Sequence, residues 1–262
     1  MFEFHLEKEK YFLQQQENAT AYVIPFIEEV IKITPNMQVL EVGCAEAGVL
    51  KAFINRGCIG TGVELSESRA NQAKQFLRYE IENKKASIIS QNIYDDEFIQ
   101  KFRGVFDLII LKDVIEHIHD QQKIISQLRQ YLKPGGKIFF GFPPWYMPFG
   151  GHQQVCRNKL LSKLPYYHLF PNIIYKWLLN LGGEDKILIK DLLEVKETGI
   201  SIERFEKCVH QAGLEIQARK YYLINPIYRY KFGWQPREQN IIIRNIPFIR
   251  NFFTTCMYYV VG

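Results

Sequence analysis

Three groups of residues have the types and spacing for chemistry. The first is the run Val39-Leu40-Glu41-Val42-Gly43-Cys44-Ala45-Glu46-Ala47-Gly48, where an apolar stretch gives way to small residues. Small residues after a buried strand let a ligand approach the backbone, and a helix starting there presents free N–H groups. Glu41, Gly43, Cys44, Ala45 and Gly48 are therefore candidate ligand contacts. Glu64 lies 21 residues beyond Gly43, about the separation at which an acid can accept from both hydroxyls of a ribose. Leu65 beside it is a further candidate contact. The second group is Lys112-Asp113-Val114-Ile115-Glu116-His117-Ile118. On a helix, positions i, i+3 and i+4 would bring Asp113, Glu116 and His117 to one face. Carboxylates with an imidazole can hold a divalent ion. Asp113 can equally cap a helix, and no metal site is assigned. The third group is Pro148-Phe149-Gly150-Gly151-His152-Gln153-Gln154. His152 and His117 are the candidate general bases, since a neutral imidazole can take a proton near neutral pH.

These residues need a scaffold, and the hydrophobic pattern supplies one. Asn18–Lys32 reads as a helix despite Pro25. Apolar runs at Gln38–Val42, Ile59–Glu64, Ala86–Ser90, Phe106–Leu111 and Lys137–Phe142 read as strands separated by helices. Ser66 and Asp120 stand where helix N-caps belong, and Lys133-Pro134-Gly135-Gly136 stops the helix that Asp120 starts. Strands spaced by helices imply parallel βαβ units. Residues 143–200 break the rhythm and read as a lid with one or two helices, the clearest at Asn172–Leu181. Ser201–Ala212 reads as a helix, and Leu214–Leu223 and Thr254–Val261 as final strands, separated by an irregular excursion over Asn225–Phe253. The predicted fold is α/β: a Rossmann-like seven-stranded sheet with helices on both faces and a helical lid insertion. Its parts are an N-terminal helical segment (1–35), a ligand-binding core (36–142), the lid (143–200) and a C-terminal part (201–262).

The motifs, in this order, resemble those of class I S-adenosylmethionine-dependent methyltransferases. The family loop commonly reads E/D-x-G-x-G-x-G. This chain keeps Gly43 and Gly48 and has Ala45 and Ala47 between them. The pair D-V-x-E-H (113–117) and L-K-P-G-G (132–136), one helix apart, is the most specific match. The resemblance covers residues 36–142 well and 201–224 loosely. It implies S-adenosylmethionine as cofactor, an antiparallel last strand, and contacts from Asn92, Ile93 and Lys112, with Asn92 where the family often has an acid facing adenine. Asp113, Glu116 and His117 are similar to the E-x-x-E-H of ubiquinone-pathway O-methyltransferases, which would imply an acceptor-side metal. Pro143-Pro144-Trp145-Tyr146 invites comparison with the D/N-P-P-Y of amino-directed nucleic-acid methyltransferases. It follows the fifth strand rather than the fourth and is read as a lid hinge with an aromatic wall. Aromatics between Trp145 and Trp177 either line an acceptor pocket or form the lid's own core.

Composition narrows the partners. At 262 residues and 47% hydrophobic content, the chain can bury a core without disulfides. Its five cysteines are scattered, with no C-x-x-C pair. The first residues lack the layout of a secretory signal, and no apolar run approaches a membrane span. A cytoplasmic location is expected. From Leu214 onward seven basic residues face two acids, so the whole formal excess of +5 lies there. That skew fits an anionic acceptor or surface, or a solvated basic face. The expected activity is methyl transfer to an oxygen of a small or lipid-linked acceptor. A nucleic-acid methyltransferase, disfavoured, and a catalytically silent cofactor-binding protein are the alternatives.

Overall fold

The computed structural model describes residues 8–262. Helix α1 (Lys8–Asn18) runs through a π-helical turn (Ala19–Val23) into a further turn of helix, Ile24–Ile27. The expected helix at Asn18–Lys32 is thus already formed at Lys8, the first described residue, and ends sooner. Pro25 has no N–H to donate, and it sits just after the π turn, where the hydrogen-bond ladder has already changed register.

Then follow β1 (Gln38–Val42), α2 (Gly48–Asn55), β2 (Ile59–Val63), α3 (Glu67–Phe76), β3 (Ala86–Ile89), α4 (Asp96–Phe102), β4 (Phe106–Lys112), α5 (Gln121–Tyr131) and β5 (Leu132–Phe142). Ser66 caps α3 through Arg69 N, and Asp120 caps α5 through Lys123 N. The insertion carries α6 (Asn172–Leu181) and α7 (Lys186–Thr198). The chain ends with α8 (Ile202–Gln211), β6 (Ile216–Ile224), β7 (Arg237–Glu238) and β8 (Cys256–Val261).

The sheet order is β3-β2-β1-β4-β5-β8-β6-β7. β1 to β5 are parallel neighbours, and β8 inserts antiparallel between β5 and β6. The strand added to the expected seven is β7, a two-residue strand on the edge of β6. It lies in the irregular excursion, where a pairing this short leaves no periodic signal.

Side chains alternate between two apolar cores, as strands buried on both faces require. Val39, Leu108, Ile110 and Phe139 point to the side covered by α1, α2 and α3. Leu40, Ile109, Leu111 and Phe140 point to the side covered by α4, α5 and α8. The C-terminal ends of β1 and β4 therefore emerge side by side, on the edge where open α/β sheets bind ligands.

The lid has a small core of its own, in which Tyr167 and Tyr175 pack with Leu161, Leu179, Ile189 and Leu192. Its entry loop is tightly tied. Trp145 N donates to Ile200 O, Gln153 Nε2 to Pro148 O, and His168 Nε2 lies 2.9 Å from Trp145 O. Close packing demands the paired glycines Gly150 and Gly151 of this loop. A Cβ on Gly150 would lie 2.0 Å from Trp145 O, and one on Gly151 would lie 2.4 Å from His168 Cβ. Gly150→Ala should therefore destabilise the protein by about 1–3 kcal/mol, the scale of overpacking. Urea unfolding checks this, and an unchanged midpoint would show that the loop yields without cost.

Candidate active site

The loop after β1 turns through left-handed backbone at Gly43 (φ 68°), Ala45 (φ 46°) and Ala47 (φ 63°). A side chain at Gly43 would meet Val114 Cγ2 at 2.6 Å, and one at Gly48 would meet Phe12 O at 2.4 Å. Glycine is required at both places. Ala45 and Ala47 have room for a methyl but hold a conformation costing roughly 1–2 kcal/mol in a residue other than glycine.

Two carboxylates fix this loop. Buried Glu41 accepts from Leu50 N at 2.8 Å, in the first turn of α2. Glu64 accepts from Ala45 N at 3.0 Å and Ser66 N at 2.9 Å, tying the end of β2 to the loop. Glu41, Gly43, Cys44, Ala45, Gly48 and Lys112 line a small cavity of about 100 Å³, with Arg69 and Asp113. Its cover is α1, which contributes Tyr11, Phe12 and Gln15. The remaining expected contacts, Glu64 among them, lie outside that cavity. Leu65 is exposed beside Glu64. Asn92 is exposed and its Oδ1 already accepts from Tyr94 N. Ile93 is buried, and its carbonyl accepts from the Tyr131 hydroxyl.

A second cavity, of about 360 Å³, adjoins the first through Tyr11, Arg69 and Asp113, which line both. Glu116, His117, His152 and Phe149 line it from the core and lid, and Tyr228, Lys231 and Phe232 from the C-terminal excursion. Its aromatic wall differs from the expected one. Of the lid aromatics, Phe149 faces this cavity, Tyr167 and Tyr175 fill the lid core, and Trp177 is exposed. Tyr11, Arg69, Tyr228 and Lys231 carry no motif by which sequence could single them out.

Asp113, Glu116 and His117 do not share a helix face. Asp113 has left-handed φ (57°), and only Ile115–His117 form a single 3-10 turn. Asp113 turns toward Lys112, whose Nζ lies 2.5 Å from its carboxylate. His152 takes its place in the cluster: the ligand atoms of Glu116, His117 and His152 lie within 4.8 Å of one another. The two imidazole rings meet edge to face at 5.0 Å. Both Glu116 carboxylate oxygens are buried with no hydrogen-bond partner. Two orphaned oxygens beside two imidazoles are a donor set that fits a divalent cation.

Charge in the site is sharply divided. Burial opposes ionisation of Asp113, but Lys112 outweighs it and holds the acid below its ordinary range. Burial, then the charge of Asp113, pushes Glu116 well above its ordinary range. Desolvation lowers His117, although its side chain is still exposed, and takes half-buried His152 down to about 3, so His152 is neutral at pH 7. Burial brings Lys231 down to about 8.

Residues 15–164 match the model of a family described as "Methyltransferase domain". The chain belongs to this family, the class I S-adenosylmethionine-dependent methyltransferases. It is 33% identical over 117 residues to a ubiquinone biosynthesis O-methyltransferase of Coxiella burnetii, covering 45% of this chain and 47% of that one. It is 29% identical over 103 residues to the protein of the same name from Acinetobacter baylyi, covering 39% and 42%. The chain thus spans about half the length of the curated relatives it matches. A geranyl diphosphate C-methyltransferase from Streptomyces coelicolor A3(2) shares the fold, with TM-score 0.55 at 13% identity over 90% of this chain and 76% of the other. An Aquifex aeolicus S-adenosylmethionine-dependent methyltransferase does so with TM-score 0.51 at 10% identity, over 90% and 86%. The cofactor is accordingly S-adenosylmethionine.

Glu41 gives the site a pH signature. Burial raises its pKa from an ordinary 4.5 to about 8, so the folded state binds this proton more tightly than the unfolded chain. The resulting stabilisation is fully present below 4.5 and is lost as pH rises through 8. Glu41→Gln removes that dependence. Between pH 5 and 8, wild-type stability should fall relative to that of the variant in urea unfolding. A constant difference between them would show that Glu41 does not titrate in this range.

Proposed function

We propose that the chain transfers the methyl group of S-adenosylmethionine to a hydroxyl of a small, hydrophobic or lipid-linked acceptor. The observation that supports this best is the pair of adjoining cavities. One is lined by the cofactor loop, the other by aromatics and a histidine pair, and Asp113 stands at their junction. The relatives named for O-methylation point the same way.

In this reading Glu64 receives the ribose hydroxyls, Leu65 and Asn92 flank the adenine, and the loop Gly43–Gly48 receives the methionine end. Ile93, Glu41 and Lys112 support these contacts from beneath. The acceptor lies against Phe149, Tyr228 and Phe232. As the acceptor oxygen bonds to the methyl carbon, the carbon–sulfur bond breaks and its electron pair returns to sulfur. The hydroxyl proton passes to His152. The positive charge lost from the sulfonium reappears on the imidazole; burial and the neighbouring His117 oppose it, and the Asp113 carboxylate offsets part of that cost. His117 packs on His152 and holds its ring.

The orphaned Glu116 carboxylate favours a second reading, in which Glu116, His117 and His152 hold a divalent cation. Bound there, a divalent cation would supply Lewis acidity toward the acceptor hydroxyl. His152 would then serve as a ligand rather than as the base.

Glu64→Ala tests the cofactor assignment. Losing charge-assisted hydrogen bonds should cost about 2–3 kcal/mol of S-adenosylmethionine affinity by calorimetry, in a variant whose circular dichroism is unchanged. Unaltered affinity would remove Glu64 from the site. A quinol or catechol panel tests the chemistry. His152→Ala should lower turnover ~100-fold or more while leaving cofactor affinity intact. If His152 is the base, the wild type keeps full rate in chelator. If it is a metal ligand, chelation abolishes turnover and Glu116→Gln removes divalent-ion stabilisation in thermal melts. Cofactor binding without turnover on any hydroxyl acceptor would overturn the proposal.

A further inference from the structure

The excursion between β6 and β8 is built inside out. Within Asn240–Phe253, Ile241, Ile242, Ile246, Phe248, Ile249 and Phe253 are all exposed, Ile242 at 70% and Phe248 at 66%. Large apolar side chains gathered in one short segment usually turn inward, and exposed clusters mark interaction sites. Here the inward side is occupied by a polar clamp. Glu203 accepts from Phe248 N, Arg250 Nε and Asn251 Nδ2. Arg250 also donates to Glu206 and to the Tyr221 hydroxyl, and Gln239 donates to Phe253 O. Phe248 itself is held at φ 63°, a conformation that bulky residues rarely adopt. The clamp therefore fixes the apolar tips toward solvent.

Charge identifies what they face. The excursion from Asn225 to Phe253 holds five basic residues and one acid, Glu238. That acid lies 3.7 Å from Lys220 on β6. Arg237 and Arg244 form no ion pair with any described residue, and Arg229 donates to the Tyr22 hydroxyl rather than to an acid. Arginines set among Ile, Phe and Trp tips are the composition of an interfacial surface that sits on anionic lipid. A second copy of the chain fits poorly, because a two-fold contact would place each arginine patch against itself.

The same excursion walls the acceptor cavity. Tyr228 and Phe232 line that cavity, and Trp234 packs on both, at centroid distances of 6.1 and 5.5 Å. Trp234 is itself exposed. An aromatic ladder thus runs from the pocket wall to the exposed Trp234.

We propose that residues 232–253 dock on an anionic bilayer surface, with Ile241, Ile242, Phe248 and Ile249 entering the headgroup region and Arg237 and Arg244 binding lipid phosphates. Docking itself does not depend on the methyl-transfer reading. Only the use of the ladder as an entry path for a lipid-linked acceptor rests on it.

The test is co-sedimentation of the whole chain with vesicles of phosphatidylcholine, alone or with one-third phosphatidylglycerol. Binding should be strong on the anionic vesicles, weak on the neutral ones, and reduced at high salt. Arg237→Glu with Arg244→Glu should lower partitioning at least ~10-fold, since each cation contributes separately near a charged surface. Ile241→Asn with Ile242→Asn should lower it comparably, and both pairs should keep wild-type circular dichroism and S-adenosylmethionine affinity. Equal binding to neutral and anionic vesicles, no binding to either, or undiminished binding by both variants would overturn the proposal. So would a wild-type dimer in sedimentation equilibrium that Ile241→Asn with Ile242→Asn converts to monomer. Loss of turnover with vesicle binding intact would instead count against the methyl-transfer reading alone.

Discussion

The ion pair between Lys112 and Asp113 organises the rest of the site. Lys112 is buried and Asp113 half-buried, so the lysine charge carries a desolvation penalty that is offset only when the groups are close and well bonded. Two features secure it. The Lys112–Asp113 contact is 2.5 Å, and Asp113 N donates to Gly141 O at 2.7 Å, which fixes the backbone in its left-handed turn. The fixed negative charge then assigns roles to its neighbours. It keeps Lys112 protonated against the effect of burial, favours protonation of His152, and discourages ionisation of Glu116. Two acids three residues apart are thus driven in opposite directions, Asp113 below and Glu116 above the ordinary carboxylate range.

A second constraint is the cover. A cavity of about 100 Å³ is smaller than the usual range for small-molecule sites, about 300–1,000 Å³. The lining from Tyr11, Phe12 and Gln15 comes from α1, which rests directly on the loop at Gly48. Admitting a nucleoside-sized cofactor therefore involves α1. This helix is also tied to the far end of the chain, where Gln14 Nε2 donates to Tyr230 O at 2.9 Å. Tyr230 belongs to the short helix Tyr228–Phe232 that walls the larger cavity. The cover of one cavity and the wall of the other are thus joined by a direct hydrogen bond.

This coupling explains what the sequence reveals and what it hides. β1, β4 and β5 are legible because strands buried on both faces are short apolar runs bounded by Gly, Asp or Pro. The cofactor loop is legible because it follows such a run, and its departures from the family pattern have a steric logic. Gly43 and Gly48 stand where a Cβ would strike Val114 and the α1 backbone. Ala45 and Ala47 stand where only backbone conformation, not space, disfavours a side chain. The helical periodicity assumed for Asp113–His117 fails because Asp113 leaves β4 in a left-handed turn, a tertiary outcome of its bond to Gly141. Gly150 and Gly151 look like freedom in sequence, yet in the fold they are the points where two segments touch. Tyr11, Arg69, Tyr228 and Lys231 are hidden for a simpler reason. They come from three separate parts of the chain, α1, α3 and the helix Tyr228–Phe232, and only the packing of the fold brings them to one cavity.

The basic skew of the C-terminal segment acquires a location in the same way. Read as composition, seven cations against two acids distinguish neither an anionic acceptor from an anionic surface nor either from a solvated face. The fold divides them. Arg250 turns inward and is consumed by Glu203 and Glu206, Arg219 pairs with Glu206, and Lys220 pairs with Glu29. Lys231 reaches the acceptor cavity. Arg229, Arg237 and Arg244 remain on the outer side, Arg237 and Arg244 beside the apolar tips of the excursion. A uniform excess of charge is thereby sorted into three uses: locking the excursion to the sheet, setting the electrostatics of the pocket, and presenting a cationic rim to the outside. The first use bears on the third, because the clamp of Glu203 and Arg250 fixes the backbone of the segment that carries the exposed Phe248 and Ile249.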